Sequence, residues 1–272
     1  MHKTYIKRVG SINILARRSI LNEFVDDLAI SINVNSITTK SKIWIFCGAH
    51  KNYYLNWFRL GKKVVIQTEQ FYDDNGIPMW GQGYIKNKIL INNIRKSDLF
   101  IELSESNRKF YEEDLKLPQN LLSKIIFGPY IFPSKSKNEV LDNNSCNEVV
   151  FFGTLNARRL NCIQNLPFAI KTLNGVYGKK LKDTINDSRA VLNVHYEPGV
   201  YTEWPRVLSA FHNRKILISE TLSKVLEPDL HYALIDNSKN FNDFNDKVIF
   251  ENLEHLVTTQ YSITNLINTR FG

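Results

Sequence analysis

Three cysteines are too few, and too scattered, to hold a 272-residue chain together. Cys47, Cys146 and Cys162 are odd in number and contain no CxxC pair. That excludes a disulfide framework and a cysteine-based zinc site, and it is consistent with a reducing compartment. No stretch approaches the roughly 18 uninterrupted apolar residues of a membrane span. The N-terminal cations Lys3, Lys7, Arg8, Arg17 and Arg18 enclose no apolar core segment, so no signal peptide is read and the cytoplasm is the expected location. Neither half has a GxGxxG after its first strand, which counts against a nucleotide-dependent oxidoreductase. There is no internal repeat and no basic tail.

What is present describes a globular protein with a core. Hydrophobic residues make up 43% of the chain and aromatics 12%, well above what a disordered segment carries. The length allows one large or two small domains. A formal charge of +8 favours polyanionic neighbours such as a nucleotide, anionic lipid headgroups or nucleic acid. Because that charge is spread along the chain, it equally describes a mildly basic, soluble surface.

In the first half, Ile20, Leu21, Phe24, Val25, Leu28 and Ile32 recur at helical spacing and predict an amphipathic helix within 18–33. Lys42 to Gly48 is a buried-strand run ending at Gly48-Ala49-His50. An aromatic segment, Tyr53 to Phe58, follows it, and then a second strand, Lys63 to Gln67, runs into Thr68-Glu69-Gln70. Gly61, Asn75-Gly76 and Gly81/Gly83 mark loops. The pattern predicts a helix from Tyr84 to Lys96, a strand over Asp98–Leu103, a helix start at Ser104-Glu105-Ser106-Asn107 and a fourth strand at Ile125–Gly128. Strands alternating with helices describe a parallel, doubly wound α/β sheet. The polar run PSKSKNEVLDNNSCN predicts a linker over 133–147, separating domains at 1–132 and 148–272.

The second half opens with Val149-Val150-Phe151-Phe152, breaks at Gly153 and continues Thr154-Leu155-Asn156-Ala157-Arg158-Arg159. A strand that stops at glycine and turns into an arginine-bearing helix is a place where backbone N–H groups and guanidinium forks can both meet phosphate. Ala190 to Tyr196 is a second strand, followed by the turn formers Glu197-Pro198-Gly199. Thr202 then reads as an N-cap, and Pro205 suits a first helical turn. Trp204, Val207, Leu208 and Phe211 form one apolar stripe, while Glu203 and Arg206 share another face. Lys215 to Glu220 supplies a third strand. Gly153, His195 and Glu220 are thus expected near the carboxyl ends of three strands, where open α/β sheets bind ligands.

The runs FFGTLNARR, GVYGK, SRAVLNVHYEPGVYTEWPRV and KILISE resemble the C-terminal half of a group of bacterial and phage glycosyltransferases of the GT-B fold, over most of residues 149–220. In the first half, VVIQTEQF and DLFIELSESNRKFY are similar to that group's N-x-E-Q and D-x-S-x-x-N stretches. Gln67 stands there in place of the usual Asn, and Ile101-Glu102-Leu103 replaces an aromatic-acidic-aromatic run. The resemblance implies a GT-B-like pair of Rossmann-like, doubly wound domains facing a cleft, with a C-terminal helix, Leu256 to Phe271, crossing back onto the first. It also implies that the second domain clasps a nucleotide-sugar, with a helix N-terminus on the diphosphate and a carboxylate on the ribose. UDP is the default nucleotide.

In a metal-independent site, the charge growing on a diphosphate leaving group is stabilised by helix N-termini and cations. The candidates are Arg158 and Arg159 first, then Lys179, Lys180 and Arg206, with Gly153 allowing close approach. Glu203 and Glu220 are the carboxylates for ribose and sugar, His195 a donor to phosphate or hydroxyl, and Tyr196, Tyr201 and Tyr177 platforms for the base. Each also has a plainer role: arginines solvated or paired with acids, Glu203 as a charge at a helix start, His195 and the tyrosines as packed residues. On the acceptor side an inverting enzyme needs a general base, for which Glu69 leads, with His50, Asp73 and Glu105 behind it, because all follow strands of the first domain. A retaining enzyme can do without one, and the sequence does not distinguish the two outcomes. Asp73-Asp74 lies in a Gly/Asn loop without a DxD pattern and reads as a turn, so no metal site and no cofactor are expected.

The function these features imply is transfer of a sugar from a nucleotide-sugar to a hydroxyl of a surface or lipid-linked glycan, with peripheral membrane contact. One alternative is a phage-type enzyme that adds glucose or arabinose to 5-hydroxymethylcytosine in duplex DNA. A non-catalytic nucleotide- or glycan-binding module is the other.

Overall fold

The computed structural model describes residues 4–17, 21–135, 148–235 and 244–272. Most of the expected linker, 136–147, and Cys146 with it, lie outside the described residues. The chain divides into two compact units, one of Met1–Lys135 with Val257–Gly272 and one of Ser136–Leu256.

The first unit contains β1 (Tyr5–Val9), β2 (Ile12–Ala16), α1 (Asn22–Ser31), β3 (Ile43–Cys47), β4 (Lys62–Gln67), α2 (Gly81–Tyr84), α3 (Asn87–Lys96), β5 (Leu99–Glu102), α4 (Gln119–Leu122) and β6 (Ile125–Phe127). Its strands form one six-stranded sheet in chain order. Every residue of β2, β3 and β5 is buried. These are continuous apolar runs rather than alternating ones, as a parallel sheet covered on both faces requires. One face carries Trp44, Phe46, Val65 and Phe100 into a core with Leu90 and Ile94 of α3 and with Phe110 and Tyr111.

Two features depart from the sequence-based expectation. β1 pairs antiparallel with β2 across Gly10-Ser11, a hairpin that the basic N-terminal sequence did not announce. Its exposed Lys7 and Arg8 suit an edge strand. In place of a helix starting at Ser104, a short 3-10 turn at Glu105–Asn107 leads into a π turn at Phe110–Asp114. The side chains that would have capped a helix are engaged elsewhere. Asn107 Oδ1 accepts from the backbone N–H groups of Phe71 (2.7 Å) and Tyr72 (3.1 Å), and Gln70 Nε2 donates to Ser104 and Ser106.

The second unit contains β7 (Val149–Phe152), α5 (Ala157–Gln164), β8 (Ile170–Leu173), α6 (Lys179–Asp187), β9 (Ala190–Asn193), α7 (Trp204–His212), β10 (Ile216–Ser219) and β11 (Ala233–Leu234), with α8 (Asp246–Gln260) following. The sheet order is β11-β10-β9-β7-β8, and every pairing is parallel. From β7 the chain goes to β8 on one side, then returns to place β9, β10 and β11 on the other. The strand order therefore reverses between β7 and β9, the position beside whose carboxyl ends open α/β sheets bind ligands. The first unit, whose strands stand in chain order, has no such reversal.

α7 buries Trp204, Val207, Leu208 and Phe211 as its spacing predicts, and Arg206 with them. Its N-cap is Glu203 rather than Thr202. The Thr202 hydroxyl is bonded to Ser223 Oγ (2.6 Å) and accepts from Ser223 N–H (3.1 Å), tying down the loop after β10. At the end of the chain α9 (Ile263–Phe271) is capped by Ser262, whose Oγ accepts from Asn265 N–H. Asn268 fastens α9 within the first unit, donating to Ser36 O (2.6 Å) and accepting from Thr38 N–H (3.0 Å).

Candidate functional site

At the strand-order reversal of the second unit, the sequence places Gly153 just after β7, His195 two residues after β9 and Glu220 just after β10. Three arginines and two glutamates connect these ends. Arg159, only 3% exposed, donates from Nη1 to Thr154 O (2.8 Å) after β7 and from Nε to Val194 O (2.9 Å) after β9. Its Nη2 meets Glu203 Oε1 at 2.6 Å. Arg206, also buried, donates to Phe152 O (3.0 Å) on β7 and to Asn193 Oδ1 on β9, and its Nη1 lies 2.5 Å from Glu203 Oε2. Glu203 thus bridges two guanidinium groups, each of which staples the same two strand ends, and offsets one of their two charges. Polar groups this deeply buried are normally hydrogen-bonded, and here the Nη groups of both arginines and Nε of Arg159 are, whereas Arg206 Nε is buried without a hydrogen-bond partner.

Arg158 is placed differently. Its two Nη atoms grip Glu220 in a bidentate pair, and Nη1 also donates to His195 O (2.7 Å). Those bonds use three of its five N–H donors, leaving Nε–H and one Nη2–H. Glu220 additionally accepts from His195 N–H at 2.7 Å. Burial pushes the Glu220 carboxyl up, but the hydrogen bonds from Arg158 and His195 outweigh it and hold its pKa below the ordinary value. The bond from Glu220 also raises the Arg158 guanidinium pKa, whereas burial lowers that of Arg206. Counting Arg158, Arg159 and Arg206 against Glu203 and Glu220, three cations face two anions, so the cluster carries a net charge of +1.

His195 stacks on Tyr201 with ring centroids 4.1 Å apart, and its Nδ1 lies 3.0 Å from Gly199 O. Nδ1 therefore carries the proton, and burial keeps the ring neutral by lowering its pKa. Nε2 is a buried acceptor with no hydrogen-bond partner. Asn156 caps α5, its Oδ1 accepting from Arg159 N–H (2.9 Å), and its amide donates to Tyr196 O (2.8 Å). Gly153 has φ +133°, and a Cβ added there would come within 2.9 Å of Arg206 Nη2. Glycine is thus required both by the turn and by the close approach of Arg206.

Of the residues predicted for donor binding, Gly153, Arg158, Arg159, His195, Glu203, Arg206 and Glu220 come together in this one cluster, with Tyr196 at its edge, where Arg159 lies over its ring at 5.3 Å. Lys179 does not join them. It opens α6 as an exposed side chain whose ammonium meets Asp183 at 2.6 Å, one turn along the same helix. Asn156 and Asn193 were not singled out from the sequence, although each left a signal. Asn156 is an N-cap type immediately before a helix, and Asn193 is a polar residue ending an otherwise apolar strand.

The first unit brings two of its candidates into proximity. His50, after β3, has Nδ1 3.5 Å from Glu69 Oε1, after β4, and Glu69 Oε2 accepts from Trp80 Nε1 at 3.2 Å. Asp73 stands apart in a turn, where its Oδ1 accepts from the backbone N–H groups of Asn75 (3.0 Å) and Ile77 (2.8 Å). Glu105 is exposed and paired with Arg108 at 2.7 Å. The carboxyl that sequence reasoning passed over is Glu102, the last residue of β5 and 1% exposed. It accepts from Tyr111 OH (2.6 Å), Ser104 N–H (3.1 Å) and Asn107 Nδ2 (3.0 Å). Burial pushes its pKa up to about 8 against the pull of those donors. Among the described residues, no group of three or more His, Cys, Asp or Glu side chains is placed to hold a metal ion, and no helix is long and apolar enough to cross a membrane.

Fold and site together define an α/β protein of two units, one on a mostly parallel sheet with an antiparallel edge strand and one on a parallel sheet that carries an arginine-rich cluster at a strand-order reversal. No family model and no curated protein matches the chain. Among solved structures it is similar to a variant of TarM from S. aureus in complex with fondaparinux, alpha-GlcNAc-glycerol and UDP, at 14% identity and a TM-score of 0.46, over 84% of this chain and 54% of that one. It is also similar to HepE of Anabaena in complex with UDP-glucose, at 10% identity and a TM-score of 0.48, over 84% of this chain and 77% of that one. A glycosyltransferase from Rickettsia africae matches at 10% identity with a TM-score of 0.46, over 84% of this chain and 74% of that one. The chain spans about half the length of TarM.

Proposed function

We propose that the chain is a GT-B-type glycosyltransferase whose second unit holds a nucleotide-sugar, UDP-linked by default, and whose first unit supplies the acceptor side. The observation that carries this reading is the cluster at the strand-order reversal between β7 and β9. There, buried Arg159 and Arg206 fix the Gly153 and His195 loops, and Arg158 retains N–H donors at the N-terminus of α5. The sequence resemblance over residues 149–220 falls on these same elements.

In this reading Arg158 and the α5 N-terminus meet the diphosphate, and the net charge of +1 offsets the negative charge that grows there. Glu220 and Glu203 offer carboxylate oxygens to ribose and sugar hydroxyls, and His195 Nε2 gains the hydrogen bond it lacks from a donor hydroxyl. Transfer breaks the bond between the sugar's anomeric carbon and the diphosphate oxygen, which keeps the electron pair. A new bond forms from the acceptor oxygen to that carbon; in an inverting reaction Glu69, beside His50, takes the acceptor's proton, and in a retaining one the departing diphosphate oxygen takes it. No metal takes part in this scheme.

The test is a thermal-shift panel of UDP-, GDP-, CMP- and dTDP-sugars. One donor is expected to raise the melting temperature, and Arg158→Ala is expected to abolish that rise while the variant stays folded. A flat panel would overturn the reading. Binding without turnover or donor hydrolysis would leave a non-catalytic module.

A further inference from the structure

The segment between β3 and β4 carries a surface for which the donor reading has no use. Residues Tyr54–Phe58 form a 3-10 turn whose inner side is firmly anchored. The Tyr53 hydroxyl donates to Cys47 O (2.6 Å) and Gly48 O (3.0 Å), and the rings of Tyr53 and Trp57 pack on Phe46 with centroids 4.8 and 4.7 Å away. The outer side is nevertheless apolar. Leu55 is 79% exposed, Phe58 80% and Leu60 87%, with Tyr54 at 62% beside them. Single exposed apolar side chains are ordinary, but four within seven residues, flanked by buried anchors, concentrate apolar surface on one short turn in the way that marks an interaction surface.

The charge around the patch is one-sided. The Arg17 guanidinium lies over the Tyr54 ring at 4.8 Å, and Arg59 stands between Phe58 and Leu60. A groove of about 480 Å³ beside Phe58 is lined by Lys62, Lys63 and Lys96. Its one acidic lining residue, Asp98, already accepts from Lys63 N–H (2.8 Å) and lies 3.8 Å from the Lys62 ammonium.

We infer that this face docks the first unit onto an anionic membrane surface. Leu55, Phe58 and Leu60 enter the boundary between headgroups and acyl chains, and Arg17, Arg59 and the groove lysines meet lipid phosphates. Charge complementarity selects this occupant. A second copy of the chain would bring the same cations against each other across a two-fold contact. Nucleic acid would engage the cations and rings but gives the aliphatic Leu55 and Leu60 nothing to stack on. The inference rests on first-unit residues alone, so its failure and that of the donor reading are separate events.

The test is flotation of the full chain with phosphatidylcholine vesicles, with and without phosphatidylglycerol. The chain is expected to float with the anionic vesicles and to be released as salt is raised. The triple variant Leu55→Ser/Phe58→Ser/Leu60→Ser is expected to partition at least about tenfold more weakly, since each side chain loses its apolar burial. Its melting temperature, and any nucleotide-sugar shift, should match the parent chain. Arg59→Glu/Lys96→Glu should weaken flotation on anionic vesicles too. A parent chain that stays unbound, or a triple variant that floats equally well, would overturn the inference. So would finding that the patch instead mediates a dimer, or retention on duplex DNA, that the triple variant abolishes.

Discussion

Replacing Glu102 by glutamine tests whether burial or hydrogen bonding governs the carboxyl at the end of β5. The side chain is 1% exposed and accepts three hydrogen bonds, yet its pKa is pushed from the ordinary 4.5 to about 8. Between those values the folded chain holds a proton that the unfolded chain has released. Stability therefore falls as pH rises through this window and levels off above about 8. At ~1.4 kcal/mol per pH unit, the full span amounts to roughly 5 kcal/mol, reduced to about 3 if the site relaxes around the charge. Glutamine keeps the shape and cannot titrate, and the Tyr111 hydroxyl can turn to accept from its amide. In urea unfolding followed by circular dichroism, Glu102→Gln should lie within about 1 kcal/mol of the parent at pH 5. At pH 9 it should be the more stable protein by ~3–5 kcal/mol. A difference that is the same at both pH values, or a variant weaker at pH 9, would refute the reasoning.

Two further substitutions probe the cluster of the second unit. Gly153→Ala places a Cβ at φ +133° and within 2.9 Å of Arg206 Nη2, so a loss of about 1–3 kcal/mol in urea unfolding is expected, and an unchanged midpoint would contradict the strand-end packing. Glu203→Ala leaves Arg159 and Arg206 buried without their shared carboxylate, which should lower stability by about 3 kcal/mol, whereas a loss under about 1 kcal/mol would mean that the backbone carbonyls alone suffice.

The parts legible in the sequence were those set by local pattern. The buried runs of β3, β4, β5, β7, β9 and β10 and the apolar stripe of α7 follow from unbroken or periodic hydrophobicity, and they place Gly153, His195 and Glu220 at strand ends. What the sequence concealed depends on contacts between distant residues. Whether Arg159 and Arg206 face solvent or staple two strands is decided by carbonyls at Phe152, Thr154 and Val194, which carry no side-chain signature. Thr202 reads as a cap until Ser223, 21 residues on, takes its hydroxyl. Ser104 and Asn107 read as a helix start, but the loop after β4 engages them first. Glu102 was passed over because a single acid at the end of an apolar run looks the same whether exposed or fully enclosed.

The central claim is that Arg158 and the loops held by Arg159 and Arg206 form a diphosphate site. Calorimetric titration of the parent chain and Arg158→Ala with the nucleoside diphosphate that the thermal panel selects, its monophosphate and its nucleoside tests this most directly. The account predicts that the diphosphate binds tightest to the parent and that Arg158→Ala removes most of that advantage, about tenfold or more, while barely changing nucleoside binding. A variant that keeps the full diphosphate preference, or a parent that binds all three equally, would contradict it.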